Sequence, residues 1–292
     1  MKISALAPWF GSKRTLAPRI VAELGQHRSY WEPFCGSMAV LMGKPVATVE
    51  QVNDLHGDLI NLARVVQDET MAKDLYGRSY RTLFHEKLLS EAKAILMQPM
   101  GQGPDVTRAY WYLVFSWMSL NGVSGTPLNS TGTFAVRYST SGGNGAGRWL
   151  SVVESLPEWH ERLRGVQILN RCGFTLLERI EDKDGTVIYC DPPYLVKGAK
   201  YVHDFTADDH DRLAQMVQRF ERTRVVVSYY DHPRLDELYP IWTKVTCNTA
   251  KAMVNGGRRG KGGRVDAPEV LLINGPSFTQ PNDSGSLFGE GA

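Results

Sequence analysis

The stretch Val187-Ile188-Tyr189-Cys190-Asp191-Pro192-Pro193-Tyr194 decides how this chain is read. Four apolar residues ending abruptly at Asp-Pro-Pro predict a buried strand that stops at a rigid turn and carries a carboxylate to the edge of a sheet. The paired prolines remove two N–H donors and fix φ, so the carbonyls beside them stay free and rigidly aimed. With the Tyr194 ring alongside, this acceptor cluster suits a flat partner bearing an amino group, which donates hydrogen bonds while its face stacks on the ring. A nucleobase amine meets that description. So far an ordinary strand-to-loop turn explains the same residues, and the surrounding chain must decide.

Outward from the turn the chain keeps an α/β rhythm. Upstream, the periodicity predicts a helix over 150–163, a strand over Val166–Leu169 and a helix over 176–181. Downstream it predicts a helix over 208–221, a strand over Arg224–Tyr230 with the continuous apolar run of a strand covered on both faces, and a helix opened by Pro233. The closing strands are expected at 244–248 and 270–273. Near the start, a helix over 16–24 precedes a strand through Tyr30-Trp31-Glu32, a tight Cys35-Gly36-Ser37 turn and a further helix. A second strand over 47–52 ends in Asn53-Asp54, ahead of a helical run over 59–66. Open sheets of this kind bind nucleotide-type ligands at a small-residue turn after the first strand and hold ribose hydroxyls on an acidic side chain past the second. Asp54 reads equally well as a cap of the helix that follows.

The character changes between 68 and 159. Helical periodicity runs over 79–98 and 106–120, and Tyr110, Trp111, Tyr112, Phe115 and Trp117 read as the core of a small helical subdomain. The polar stretch 121–147 follows, with Phe134-Ala135-Val136-Arg137-Tyr138 expected as a short hairpin strand; irregular segments this long are commonly functional. A glycine-rich loop near the end carries Lys251, Arg258, Arg259, Lys261 and Arg264, a composition suited to a phosphate backbone or to solvent.

At 292 residues, 42% hydrophobic and 22% charged, the chain has the composition of a globular protein with one large domain or two smaller ones. There is no apolar run of about 18 residues to suggest a membrane span, and Met1-Lys2-Ile3-Ser4 lacks a signal-peptide core. The net charge of +2 neither favours nor excludes nucleic acid. Cys35, Cys172, Cys190 and Cys247 stand too far apart for a paired zinc spacing or a disulfide framework, so a reducing cytoplasm is the expected setting.

The order of these motifs resembles the Dam-like family of DNA adenine-N6 methyltransferases. The resemblance runs through Pro-Trp-x-Gly-x-Lys at Pro8 to Lys13, Glu-Pro-Phe at Glu32 to Phe34, Asp-x-x-x-Asp-Leu-Ile-Asn at Asp54 to Asn61 and Asn121-Gly122. It continues in Asp-Pro-Pro-Tyr at Asp191 to Tyr194 and Asp-His-x-x-Leu-Ala at Asp209 to Ala214. It implies an α/β fold, a mostly parallel Rossmann-like methyltransferase sheet with an inserted, mainly helical target-recognition subdomain. Residues 1–67 and 160–275 would form the catalytic domain, 68–159 the insert and 276–292 a flexible tail. The implied methyl donor is S-adenosylmethionine, with no metal, held by Trp9, Phe10, Lys13, Glu32, Phe34, Gly36, Ser37, Asp54, Phe174 and Asp191. Asp191, Pro192, Pro193 and Tyr194 would be the catalytic turn on a flipped-out adenine. The implied partner is double-stranded DNA, met by Arg137 and Tyr138 of the insert, by Lys197 and Lys200, and by Lys251, Arg258, Arg259, Lys261 and Arg264 of the basic loop.

The chain departs from the family's Phe-x-Gly-x-Gly turn, since Phe34-Cys35-Gly36-Ser37-Met38 places Met at the last glycine. A DNA-binding protein of the same fold without catalysis, marked by Met38, is therefore one alternative. Methylation of another nucleobase amine is the other, although cytosine-modifying relatives carry Ser where Asp191 stands. The tail holds Ser284-Gly285-Ser286-Leu287-Phe288, which resembles a sliding-clamp docking peptide and gives Leu287 and Phe288 as a weak clamp contact. A monomer with no membrane association is expected.

Overall fold

The computed structural model describes residues 3–9, 11–120, 124–125, 128, 133–136, 144–195, 202–247 and 268–280. Strands β1 (Ser29–Glu32), β2 (Val49–Asn53), β3 (Val166–Leu169), β4 (Thr186–Cys190), β5 (Arg224–Tyr230), β6 (Thr243–Cys247) and β7 (Glu269–Ile273) form one seven-stranded sheet in the order β3-β2-β1-β4-β5-β7-β6. The first five run parallel, and β7 is antiparallel to both β5 and β6. This is the Rossmann-like architecture expected from the sequence. The strand order reverses between β1 and β4, the switch point where an open α/β sheet leaves a crevice at its carboxyl edge.

Alternation along the central strands sends side chains to two separate cores. Tyr30, Val187, Tyr189, Val226 and Leu271 join one core, with helices α1 (Ala17–Leu24), α2 (Ala39–Gly43), α3 (Gly57–Gln67), α4 (Glu69–Tyr80), α5 (Glu86–Leu96), α6 (Val106–Met118) and α7 (Gly145–Leu163). Ile188, Cys190, Val225, Val227 and Leu272 face the other, with α8 (Gly173–Leu177), α9 (Ala207–Gln218) and α10 (Arg234–Leu238). Polar side chains start the helices where they are needed: Asp68, Asp105 and Asn144 accept from the first turns of α4, α6 and α7, and Thr206 with Asp209 forms a capping box on α9. No helix among the described residues is long and apolar enough to cross a membrane.

Several element boundaries are corrected. The single helical run over 79–98 is two helices, because His85 caps α5 and the chain breaks at 81–85; the apolar periodicity carries across since both helices pack on α6. Helix α7 begins at Gly145 rather than 150, and α8 lies at Gly173–Leu177, ahead of the expected 176–181. Of the hairpin at 134–138, the described part is a single bridge from Phe134 to Ser119. Helices α4 to α6 lie within the expected insert and α7 runs out of it into 160–163; all four share one continuous core with the sheet, and Trp117 Nε1 donates 3.0 Å to the Leu6 carbonyl. The described start of the tail is also tied down: Ser277 Oγ and the Phe278 amide donate to the buried Glu23 carboxylate at 2.6 and 2.9 Å. Leu287 and Phe288 lie outside the described residues.

Candidate active site

Asp191 immediately follows strand β4, and the carboxylate meets groups from three other segments. Lys13, in the loop before α1, places Nζ 2.9 Å from Asp191 Oδ2 and 3.0 Å from Glu269 Oε1, at the start of β7. It also donates 2.6 Å to the Gly11 carbonyl. Ser228 Oγ, from β5, donates to Asp191 Oδ1 at 3.1 Å, and its own oxygen lies 2.8 Å from the Tyr189 hydroxyl. The Tyr194 hydroxyl donates to Glu269 and lies 3.2 Å from Asp191 Oδ1. Lys13 sits 5.0 Å from the Tyr194 ring centre.

The electrostatics follow from this crowding. Burial pushes the Asp191 carboxyl above its ordinary range; the Lys13 ammonium opposes that rise and the Glu269 charge adds to it. Burial works against the Lys13 ammonium, but Asp191 and Glu269 together outweigh it and raise its pKa. Glu32, 2% exposed at the end of β1, accepts from Tyr30 OH at 2.9 Å and is pushed by burial up to about 8, with the nearby Asp191 charge adding to the rise.

On the other side of the crevice, the Gly36 turn adopts φ +44°, and a Cβ there would stand 3.0 Å from Trp9 Nε1. At Gly125, with φ +92°, a Cβ would come within 2.6 Å of the same ring. The two glycines therefore let Trp9 lie flush between them. Asp54, just past β2, accepts from the amides of Gly36 and His56, each at 2.9 Å. His56 meets Trp9 edge-on at 5.5 Å and caps α3 by accepting from Leu59 N at 3.2 Å. Phe34 meets Phe174 and Phe205 edge-on, and those two stack at 5.4 Å.

Of the residues picked from the sequence, Trp9, Lys13, Phe34, Gly36, Asp54, Asp191, Pro192, Pro193 and Tyr194 line one cavity at this switch point. Glu32, Ser37 and Phe174 do not line it: Ser37 Oγ faces Ser12 Oγ at 3.2 Å, and Phe174 packs on the lining residue Phe34. Met38 does not narrow the cavity: its side chain is buried in the core, although its backbone sits at φ +59°, a left-handed position that disfavours a side chain by about 1–2 kcal/mol. Phe10, Arg137, Tyr138, Lys197, Lys200, Lys251, Arg258, Arg259, Lys261 and Arg264 lie outside the described residues. Sequence reasoning missed Glu269, Ser228, His56 and Phe205. The signal for Glu269 was an acidic residue opening a strand that is otherwise apolar, Glu269-Val270-Leu271-Leu272-Ile273.

The fold is a Rossmann-like sheet with the candidate site in the crevice at its carboxyl edge. The chain belongs to the D12 class of N6 adenine-specific DNA methyltransferases, whose family model matches residues 9–251. It is 26% identical to the Retron Ec67 DNA adenine methylase of Escherichia coli over 94% of this chain and 92% of that protein. It is also 26% identical to the DNA adenine methylase of Vibrio cholerae, over 95% and 98% of the two chains. The DNA N-6-adenine-methyltransferase of Escherichia phage P1 is 27% identical over 79% of this chain, which corresponds to 30% of that larger protein.

Proposed function

We propose that this enzyme transfers a methyl group from S-adenosylmethionine to the N6 amine of an adenine flipped out of duplex DNA at a specific sequence. The observation that supports this best is the Asp191 carboxylate in the cavity lining, braced by Lys13 and Ser228 beside the rigid Pro192-Pro193 turn. The cavity fits the donor in kind: Asp54 supplies an acceptor for ribose hydroxyls, Phe34 and Phe205 an apolar wall for a base, and the Gly36 turn a close approach to backbone. When bound, S-adenosylmethionine supplies an electrophilic methyl group.

Adenine's amine is a poor nucleophile because its lone pair is delocalised into the ring. Asp191 and the Pro192 carbonyl each accept one N–H, which favours a pyramidal nitrogen and stabilises the positive charge that develops on it. Asp191 or water then takes the surplus proton. The amine is paired inside duplex DNA, so flipping costs roughly a few kcal/mol, offset in part by stacking on Tyr194. Met38, the mark of a catalysis-free alternative, lies away from this chemistry.

The recognition role of 68–159 and the donor roles of Phe10, Glu32, Ser37 and Phe174 belong to the same proposal. So does DNA contact by Arg137, Tyr138, Lys197, Lys200, Lys251, Arg258, Arg259, Lys261 and Arg264. The basic loop is rooted where Cys247 pairs with Glu269, at the catalytic edge of the sheet. Neutralising its five cations should reduce the log–log salt slope of DNA binding by about one unit per lost phosphate contact; an unchanged slope removes the loop from the interface. Leu287 and Phe288 are proposed for a weak sliding-clamp contact, which fails if wild type and Leu287→Ala bind clamp-loaded DNA equally. For the main reading, radiolabelled donor is incubated with unmethylated genomic DNA and the nucleosides are separated. Label in N6-methyladenine supports it; label in another base, or none, refutes it.

A further inference from the structure

Resting on that reading, we propose that Glu269 is a positioning residue for methyl transfer, fixing Lys13 and Tyr194 and leaving the buried cluster with a net negative charge facing the amine. The carboxylate comes from β7, the antiparallel strand, yet it opens at the same edge as Asp191 because Glu269 pairs in register with Tyr230, the last residue of β5. Lys13 is within ion-pair distance of both carboxylates, at 2.9 and 3.0 Å, so one ammonium serves two anions. Lys13 and Asp191 alone would make a neutral pair, whose carboxylate would hold little field for a cationic nitrogen. With Glu269 the cluster carries one uncompensated negative charge, in surroundings where such charges are weakly screened.

The same carboxylate accepts from Tyr194 OH. That contact fixes the ring, which meets Tyr230 edge-on at 4.6 Å. The other groups facing Asp191 are Ser228 from β5, Tyr189 through Ser228, Glu32 from β1 and Tyr194 on its own turn. None of these four reaches both Lys13 and Tyr194 as Asp191 does, whereas Glu269, from a separate strand, touches both.

Glu269→Gln keeps the shape and an acceptor for Tyr194 but removes the charge, whereas Glu269→Asp keeps the charge. Single-turnover transfer to unmethylated genomic DNA at neutral pH is expected to fall about 10- to 100-fold in Glu269→Gln. Donor and DNA affinities should stay within about threefold, and Glu269→Asp should recover most of the rate. The Asp191 carboxyl, followed by 13C NMR, should titrate at lower pH in Glu269→Gln, since a like charge has gone; the acidic limb of the rate profile should move the same way. An unmoved Asp191 titration overturns the proposal, as does a Glu269→Gln rate within about twofold of wild type. A wild type that transfers no label to adenine refutes adenine-N6 methyl transfer instead, and the NMR titration still decides the electrostatic coupling.

Discussion

At the amino ends of the strands, Glu23 accepts from Ser277 Oγ, Thr279 Oγ1 and the amides of Phe278 and Thr279, with the Arg224 guanidinium beside it. At the carboxyl ends, Asp191 and Glu269 share the one ammonium of Lys13. Both regions bury carboxylates, and the hydrogen-bonding inventory separates their tasks. Burial raises the Glu23 carboxyl, but the donors converging on it outweigh that and hold its pKa below the ordinary range. Asp191 moves the other way, since burial and a second carboxylate outweigh its cation. A carboxylate saturated by fixed donors has no acceptor capacity left and serves as a fastener. Asp191, with three donors against the five around Glu23 and a place in the cavity lining, keeps acceptor capacity for a ligand.

The largest effect that sharpens this contrast is expected from Lys13→Met. Removing the shared cation leaves two carboxylates facing each other, so one takes up a proton. Methyl transfer at pH 7 should fall by at least about 100-fold and recover in part as pH rises, because the Asp191 carboxyl must then be deprotonated against Glu269. Full activity at neutral pH would break the contrast. Next in size is Glu23→Ala, which strands Arg224 and frees the 276–280 segment. Breaking such a buried pair should cost about 3–5 kcal/mol, read from chemical denaturation. A loss under about 1 kcal/mol would mean that the tail clasp is incidental.

A smaller effect concerns Glu32. Its folded pKa of about 8 lies above its unfolded value, so the native state binds the extra proton between those pH values. The resulting stability is fully present below about pH 4.5 and is lost as pH rises through 8, amounting to a few kcal/mol at most. Glu32→Gln should therefore look progressively more stable relative to wild type from pH 5 to pH 9. A constant difference across that range would show that Glu32 is ionised in the fold.

The contrast explains what could be read from the sequence. Strands such as Arg224–Tyr230 were legible because covered strands are continuous apolar runs, and Asp191 was legible because Asp-Pro-Pro-Tyr is a local signal. Glu269 and Ser228 were not, because their meaning arises only when residues 13, 191, 228 and 269 meet in space. The Glu23 clasp was hidden similarly: a Pro/Ser-rich tail predicts looseness, and nothing local announces a buried acceptor more than 250 residues away. The break between α4 and α5 escaped because apolar periodicity persists through it, and only the His85 cap marks the new start.

The most direct test of the contrast is the single-turnover methyl-transfer rate per folded molecule of Asp191→Ala beside Glu23→Ala, with duplex binding and melting recorded for both. Asp191→Ala should lose about 10²–10³-fold in rate while binding DNA and melting much as wild type does, since it removes an acceptor used in the transition state. Glu23→Ala should melt earlier yet transfer methyl groups at close to the wild-type rate. If Asp191→Ala retains more than about a tenth of the rate, the carboxyl edge is not where the chemistry is done.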